Sequence, residues 1–294
     1  MKNIFSKFFN KKTVKKLSVN NRDFYDNALE NNINKFEEVK LTFHTCNKCK
    51  AEINSQDFIS NLFVCPHCNY HFKINVNVLM NIILDKNTFV EYDGNLSSKN
   101  IINFPLYDDK LFLNKKKTNR NDAVISGTAK INDIDISVAF MDFQFMGGSM
   151  GIVVGEKIAR TFERALDKKV PVVIFVTSGG ARMQEGMFSL MQMAKTSLMV
   201  KKLSDNNLPY ITVLLNPTTG GVMASFSMLS DIIISEPNTK IGFSGEKVIK
   251  QIVNEDFPND FQTSEFLFRA GMIDIISDRK DLKNNISKLL NYLY

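Results

Sequence analysis

The residues best placed to do chemistry are glycines. Residues 170–185, VPVVIFVTSGGARMQE, form an unbroken apolar run that ends in Thr177-Ser178-Gly179-Gly180, after which a methionine-rich helical pattern begins. The device recurs where residues 208–215 run into Asn216-Pro217-Thr218-Thr219-Gly220-Gly221-Val222 and a second small-residue helix. A residue without Cβ lets the backbone turn tightly and lets a ligand approach the main-chain N–H groups. The first turn of the following helix leaves its N–H donors unpaired at the positive end of the dipole, so an oxyanion such as an enolate is stabilised there without a charged side chain. One Gly-Gly reads as a tight strand-to-helix connection. Two, each at the carboxyl end of a buried strand, point to function.

The four cysteines fall in one window, Cys46-x2-Cys49 and Cys65-x2-Cys68, with fifteen residues between the pairs. That is the spacing of a four-thiolate zinc ribbon, in which each Cys-x-x-Cys forms a knuckle and two knuckles close one tetrahedral site. Two disulfides are the competing reading, disfavoured because no secretory signal precedes them and a chain this long needs no staples. His44, His67 and His71, the protein's three histidines, sit beside the cysteines; four thiolates already fill the shell, which leaves the histidines outside it. A closed site keeps no position for substrate, so the metal is expected to be structural. Lys48, Lys50 and Lys73 interleaved with Phe63, Tyr70 and Phe72 would suit nucleic acid, but packing around the metal is the favoured reading.

The elements that position these residues follow from periodicity. A β-hairpin is expected over 123–131 and 134–143, turning at Asn132-Asp133. Gly147-Gly148-Ser149-Met150-Gly151 opens a helix to about Lys168 with Val154, Ile158, Phe162 and Leu166 as its buried stripe. Strand 170–176, helix 183–204, strand 208–215 and helix 221–230 follow, a β-α repetition after a β-β opening that predicts a largely parallel sheet covered by helices. Met183, Met187 and Met191 lie one turn apart, a spacing expected of core or subunit interface. Residues 76–92 read as a short helix and an extended segment, and 93–121 as a polar surface loop. Residues 239–245 are expected to turn into a helix from Glu246; helices near 263–270 and 279–293 flank a short strand at 273–276.

With 294 residues the chain has length for about two domains. A hydrophobic fraction of 44% and a charged fraction of 23% are those of an ordinary soluble protein, and no apolar run approaches a membrane span. Lys+Arg exceed Asp+Glu, 37 against 31, giving net +6, which suits phosphate-bearing ligands or acidic partners without calling for nucleic acid. The expected organisation is a basic tail over 1–41, a zinc ribbon over 42–75 and a catalytic domain over 76–294. The tail lacks the h-region and cleavage site of a secretory signal. A cytoplasmic location is therefore expected, or an organellar stroma in a eukaryotic source.

From Cys46 to about Asp274 the chain resembles the carboxyltransferase β-subunit family of bacterial and plastid-type acetyl-CoA carboxylases. The most specific stretches are Phe145-Met146-Gly147-Gly148-Ser149-Met150-Gly151, Ser178-Gly179-Gly180-Ala181-Arg182-Met183-Gln184-Glu185, Leu190-Met191-Gln192-Met193-Ala194-Lys195-Thr196, Pro217-Thr218-Thr219-Gly220-Gly221-Val222 and Gln262-Thr263-Ser264-Glu265-Phe266-Leu267. The resemblance implies a crotonase-like α/β fold behind the ribbon and assembly with an α subunit as α2β2. It also implies carboxyl transfer from N-carboxybiotin, borne on a biotin carboxyl carrier protein, to acetyl-CoA, giving malonyl-CoA for fatty acid synthesis. ATP is consumed by a separate biotin carboxylase.

By the same resemblance Gly220 and Gly221 are the oxyanion donors of this subunit, with a second oxyanion site on α. Gly179 and Gly180, with Gly147 and Gly148, are expected on the CoA side, as a binding turn or as the shape of the pocket, and Arg182 is a candidate for a CoA phosphate, a partner for Glu185 or a subunit contact. Two positions depart from the family: Asn216 where aspartate is common, and Glu246-Lys247 where Pro-Arg is common. Lys247 keeps the charge but not a bidentate clamp. The alternative function is a zinc-ribbon nucleic-acid-binding or scaffold protein with an inactive crotonase-like domain.

Overall fold

The structure, a computed structural model, describes residues 43–244 and 257–294. The expected tail over 1–41 and the expected helix from Glu246 lie outside the described residues. The ribbon begins with antiparallel β1 (Phe43–Thr45) and β2 (Glu52–Asn54) and continues into α1 (Ser55–Ser60). Asn54 starts that helix because its side-chain oxygen accepts the N–H groups of Gln56 and Asp57.

Asn75 opens α2 (Val76–Ile83) in the same way, accepting the Asn77 N–H, and Val76, Leu79 and Ile83 form its buried stripe. Then come β3 (Val90–Tyr92), α3 (Tyr107–Thr118), and the hairpin β4 (Val124–Ile131) and β5 (Ile134–Met141). Asn132 and Asp133 both have left-handed φ, 46° and 65°, as a two-residue type I′ turn requires. Beyond it α4 (Ile152–Lys168), β6 (Val172–Ser178), α5 (Met187–Asp205), β7 (Tyr210–Thr219) and the one-turn α6 (Gly220–Met223) alternate. Short β8 (Ile232–Ser235) and β9 (Ile241–Gly242), α7 (Ser264–Arg269), β10 (Ile275–Ile276) and α8 (Leu282–Leu293) complete the chain.

The main sheet runs β10-β8-β7-β6-β5-β4-β3, with β9 paired to β7. β3, β4 and β5 are antiparallel and every pairing from β5 through β10 is parallel. Because side chains alternate along a strand, Val172, Ile174 and Val176 of β6 face one core with Val154, Ile158 and Phe162 of α4. Val173 and Phe175 face a second core with α2 and with Ile286 and Leu290 of α8. Both faces are covered, so the strands read as continuous apolar runs rather than alternating ones. Each fully buried side chain of this size contributes ~1.5–3 kcal/mol.

Three expectations about elements need correction. Residues 93–121 are not all surface loop: α3 lies within them, and Ser98, Tyr107 and Leu111 are buried. The helix expected from 183 is interrupted, since a 3-10 turn over Met183–Glu185 ends at Gly186 with φ 53° before α5 starts. The helix expected over 221–230 is α6 and a separate 3-10 turn over Phe226–Met228.

Candidate active site and metal centre

Because β5, β6 and β7 are parallel, the segments that leave their carboxyl ends gather at one end of the sheet. These are the glycine cluster after Asp142, the Ser178–Gly180 turn and the Thr219–Gly221 turn. The Gly179 N–H donates to the Gly147 carbonyl at 2.8 Å, the Ser178 hydroxyl to the Gly148 carbonyl at 2.6 Å, and the Thr219 hydroxyl to the Ser178 carbonyl at 3.0 Å. A parallel bridge between Met150 and Ala181 locks the first two segments further. The third meets the second backbone to backbone at Gly180 and Gly220, whose φ values are 111° and 64°.

A Cβ placed on Gly147 would meet no atom within 4 Å, and one on Gly179 only the Gly147 carbonyl oxygen at 3.6 Å, so open space lies before both. Gly179 borders that space while Gly180 packs against Gly220, and neither offers its amide, since the Gly179 N–H is taken by the Gly147 carbonyl and the Gly180 N–H by the Ser178 hydroxyl at 3.0 Å. The Gly220 amide is also engaged. Thr218 N–H donates to Lys240 O at 2.9 Å and the register continues to Thr219↔Gly242, so the alternation of a parallel ladder aims the Gly220 N–H at the Gly242 carbonyl. Gly221 stands next, in the first turn of α6, where the helix supplies no acceptor and no side chain caps it. Of the two expected donors, geometry favours Gly221, with Gly220 as the turn that presents it. Asn216 lies within β7 and caps no helix; its Oδ1 accepts the Lys240 N–H at 3.3 Å.

Arg182 is fully buried. Its guanidinium donates to Asp122 at 2.5 and 3.2 Å, to Glu185 at 3.2 Å, to Tyr107 Oη at 3.2 Å and to the Ser149 carbonyl at 2.8 Å. With those donors engaged inside the protein, a CoA phosphate has no face to approach, and the expected phosphate contact is withdrawn. Burial alone would raise the Asp122 carboxyl, but the charge of Arg182 and hydrogen bonds from Arg182 and Ser98 hold it below the usual carboxylate range. Burial and the Glu185 carboxylate push the Tyr107 phenol well up, which keeps it a donor; it gives Glu185 a 2.6 Å bond. The other Glu185 oxygen accepts the Ile152 N–H at 2.6 Å, placing a carboxylate at the positive end of α4. Gly151 has no side chain to cap α4, and a Cβ there would lie 2.3 Å from Glu185 Oε1. The cluster therefore ties α3, α4, Asp122 and the Gly180 turn together. Sequence reasoning reached only the Arg182–Glu185 pair, because Ser98, Tyr107 and Asp122 belong to a polar stretch with no periodic signal.

In the ribbon the four Sγ atoms lie within 4.8 Å of one another. Cys46 to Cys68 is 3.6 Å and Cys49 to Cys65 is 3.7 Å. These separations are too long for a disulfide of ~2.05 Å and match the ~3.8 Å sulfur edge of a tetrahedron with Zn–S of ~2.3 Å. The Lys48 N–H points at Cys46 Sγ, 3.4 Å away, as a knuckle requires. Burial pushes the Cys46 thiol up, but the backbone N–H groups of Cys49 and Lys48 bring it down to about 6, whereas burial and the neighbouring Cys49 thiol push Cys68 up to about 12. The four cysteines fit one structural zinc. His67 is exposed and His44 stacks on Phe58.

His71 does something the sequence did not signal. Its Nε2 lies 3.2 Å from Asp278 and its Nδ1 3.5 Å from Glu236. Glu236 is gripped by buried Arg279 at 2.6 and 2.7 Å, and Arg279 also donates to the carbonyls of Leu62 and Phe72 at 2.8 and 2.9 Å. Lys73 stands 4.1 Å over the Phe143 ring. The ribbon is thus docked at the carboxyl ends of β5 and β8. Met183, Met187 and Met191 are 71%, 68% and 59% exposed, with Phe188, Leu190 and Leu198 also exposed, so the stripe is not core.

Residues 80–293 match the family described as carboxyl transferase domain, and residues 43–68 the acetyl-CoA carboxylase zinc finger domain. The chain is 48% identical over 260 residues to the acetyl-coenzyme A carboxylase carboxyl transferase subunit beta of Fusobacterium nucleatum subsp. nucleatum, covering 88% of this chain and 85% of that one. It is 46% identical over 245 residues to a joined "subunits beta/alpha" protein of Natranaerobius thermophilus, covering 83% of this chain and 40% of that one. A transcarboxylase 12S crystal structure superposes with TM-score 0.66 at 27% identity, over 80% of this chain and 42% of its own.

Fold and site thus define a biotin-dependent carboxyltransferase with a crotonase-like domain and an N-terminal zinc ribbon. Within that class, the chain belongs to the acetyl-CoA carboxylase carboxyl transferase subunit beta family. The family is an α/β multi-subunit carboxyltransferase, and among the described residues no helix is long and apolar enough to cross a membrane.

Proposed function

We propose that this chain supplies the thioester half of a carboxyltransferase active site that makes malonyl-CoA from acetyl-CoA. The observation that supports the reading is the packed pair of turns at Gly180 and Gly220, which brings the first turn of α6 against the turn whose Gly179, like Gly147, has open space before it. Carbon–carbon bond formation at the acetyl methyl needs that carbon to lose a proton, which throws charge onto the thioester oxygen. A main-chain donor fixed before the reaction stabilises the charge without reorganising, and one such donor contributes ~3–4 kcal/mol to the transition state.

N-carboxybiotin on a carrier protein supplies the carboxyl group, and its freed ureido nitrogen takes the α-proton. No histidine stands in the catalytic domain to compete for that task. This chain's own contribution is position: the Ser178 hydroxyl, the Thr219 hydroxyl and the Arg182 cluster hold the turns in register so that the donor is preorganised.

The exposed methionine stripe of α5 is where the α subunit docks, bringing the second oxyanion site. A soluble compartment, cytoplasm or organellar stroma, a separate biotin carboxylase and the carrier complete the proposed setting. The test is to combine the purified chain with its α subunit, carboxylated carrier and acetyl-CoA. Malonyl-CoA is expected, and its absence while the complex forms would overturn the reading.

A further inference from the structure

The contacts over Gly221 point to the residue that sets the size of the acyl group. Built on Gly221, a Cβ would come within 2.8 Å of Met193 Sδ and 3.4 Å of Met193 Cγ, with the Ala181 methyl next at 3.6 Å. Met193 is half-buried on the inner side of α5, packed against the core beneath the α6 turn. Its thioether is therefore the nearest side chain to the Cα side of Gly221, one bond from the amide.

If that amide holds the thioester oxygen, the acyl α-carbon is bonded to the same carbonyl carbon, and standard bond lengths and an N–H···O bond of ~2.9 Å put it within about 5 Å of the Gly221 nitrogen. A substituent on the α-carbon then has to share that volume with the Met193 thioether and the Ala181 methyl. We propose that Met193, backed by Ala181, closes the acyl pocket of this chain to anything larger than acetyl and so sets its preference for acetyl-CoA over longer acyl-CoA thioesters. Methionine is unbranched and polarisable, suited to filling an irregular gap beside a backbone turn. Exclusion of one methylene by a pocket wall amounts to about 10- to 200-fold in kcat/KM.

The inference rests on the proposed function, and the test separates the two. kcat/KM for acetyl-CoA and for propionyl-CoA is measured in the assembled complex with carboxylated carrier, for the wild type, Met193→Ala, Met193→Leu and Met193→Phe. Met193→Ala should raise the propionyl-to-acetyl ratio about tenfold, Met193→Phe should lower it, and the volume-conserving Met193→Leu should leave it near wild type. Turnover by the variants with ratios all within about twofold of wild type, or equal loss for both substrates in every variant, would overturn the inference and leave the function standing. A wild-type complex that forms no malonyl-CoA would overturn both.

Discussion

Gly180 and Gly220 pack so closely that a side chain on either would crowd the backbone of the other. A Cβ on Gly220 would stand 3.0 Å from Gly180 Cα, and one on Gly180 would stand 3.2 Å from Gly220 Cα. The obstacle is backbone on both sides, with no flexible end to yield. Two strands separated by a whole helix thus end in turns that are each other's packing partner, and the amide of Gly221 owes its place to that contact.

Substitution at this contact should stop the reaction before it unfolds the chain. Gly220→Ala carries a left-handed residue at φ 64° into the contact, at a backbone cost of ~1–2 kcal/mol, and displaces the donor turn. Malonyl-CoA formation should fall at least ~100-fold, as for loss of an oxyanion donor, with zinc content and α binding retained. Gly147→Ala, at a similar φ of 68° but with open space beyond, should pay the strain alone and keep more activity. Equal activity in the two variants would count against the packed turn.

Arg182 should behave as a structural cation. Arg182→Met leaves Asp122 and Glu185 buried without their partner, a loss of ~3–5 kcal/mol for a broken buried pair. Thermal unfolding should drop sharply, while KM for acetyl-CoA in the surviving complex stays near wild type. A large rise in KM with unchanged unfolding would restore the phosphate-binding role.

Acid should attack the same cluster. Asp122 has its folded pKa held below the ordinary value of about 3.9, so its stabilising contribution is fully present above that value and is lost as pH falls through the lower folded pKa. Urea midpoints between pH 5 and acid extremes should fall in the wild type more steeply than in Asp122→Asn, which starts lower and lacks this term. Parallel curves would show that Asp122 does not titrate with unfolding.

How much of this could be read from residues alone follows from the range of each interaction. The hairpin, the stripe of α4 and the alternation of strands and helices are local, set by periods of 2.0 and 3.6, and they were legible. So were the zinc ligands, because each knuckle is closed within four residues. The segment that holds Ser98 and Tyr107 carries no such signal, because its apolar residues lack a period; its order comes from Arg182, more than seventy residues downstream. Gly186 broke a helical pattern that looked continuous because the sequence does not advertise its φ of 53°. The docking of the ribbon was invisible for the same reason: Arg279 binds carbonyls more than two hundred residues away, and carbonyls carry no sequence signature.

Zinc and docking should separate experimentally. Arg279→Ala removes the donors to the Leu62, Phe63 and Phe72 carbonyls and leaves Glu236 buried. It should loosen the ribbon, exposing the link near residues 72–75 to protease, with one zinc per chain retained. Cys65→Ser should lose the metal and loosen the ribbon together. Retention of zinc in Cys65→Ser, or protease resistance in Arg279→Ala, would contradict the arrangement.

The exposed face of α5 carries the last prediction. Met187 and Met191 lie one turn apart on α5 with Phe188, Leu190 and Leu198, and Met183 stands in the 3-10 turn before it, all exposed, whereas Ser189, Gln192 and Thr196 of the helix are buried. Over the first turns of α5 polar side chains face inward and the largest apolar ones face water, an exposed apolar patch of the kind that marks an interface with another chain. Two like charges placed on this patch would have to be desolvated on assembly with no partner waiting, so Met187→Glu combined with Met191→Glu should weaken α binding by more than tenfold. Zinc content and thermal unfolding of the isolated chain should hardly change, because neither side chain supports the core. Undiminished assembly in the double variant, measured by sedimentation with the α subunit, would move the interface off this helix and leave its apolar face without the partner assigned to it.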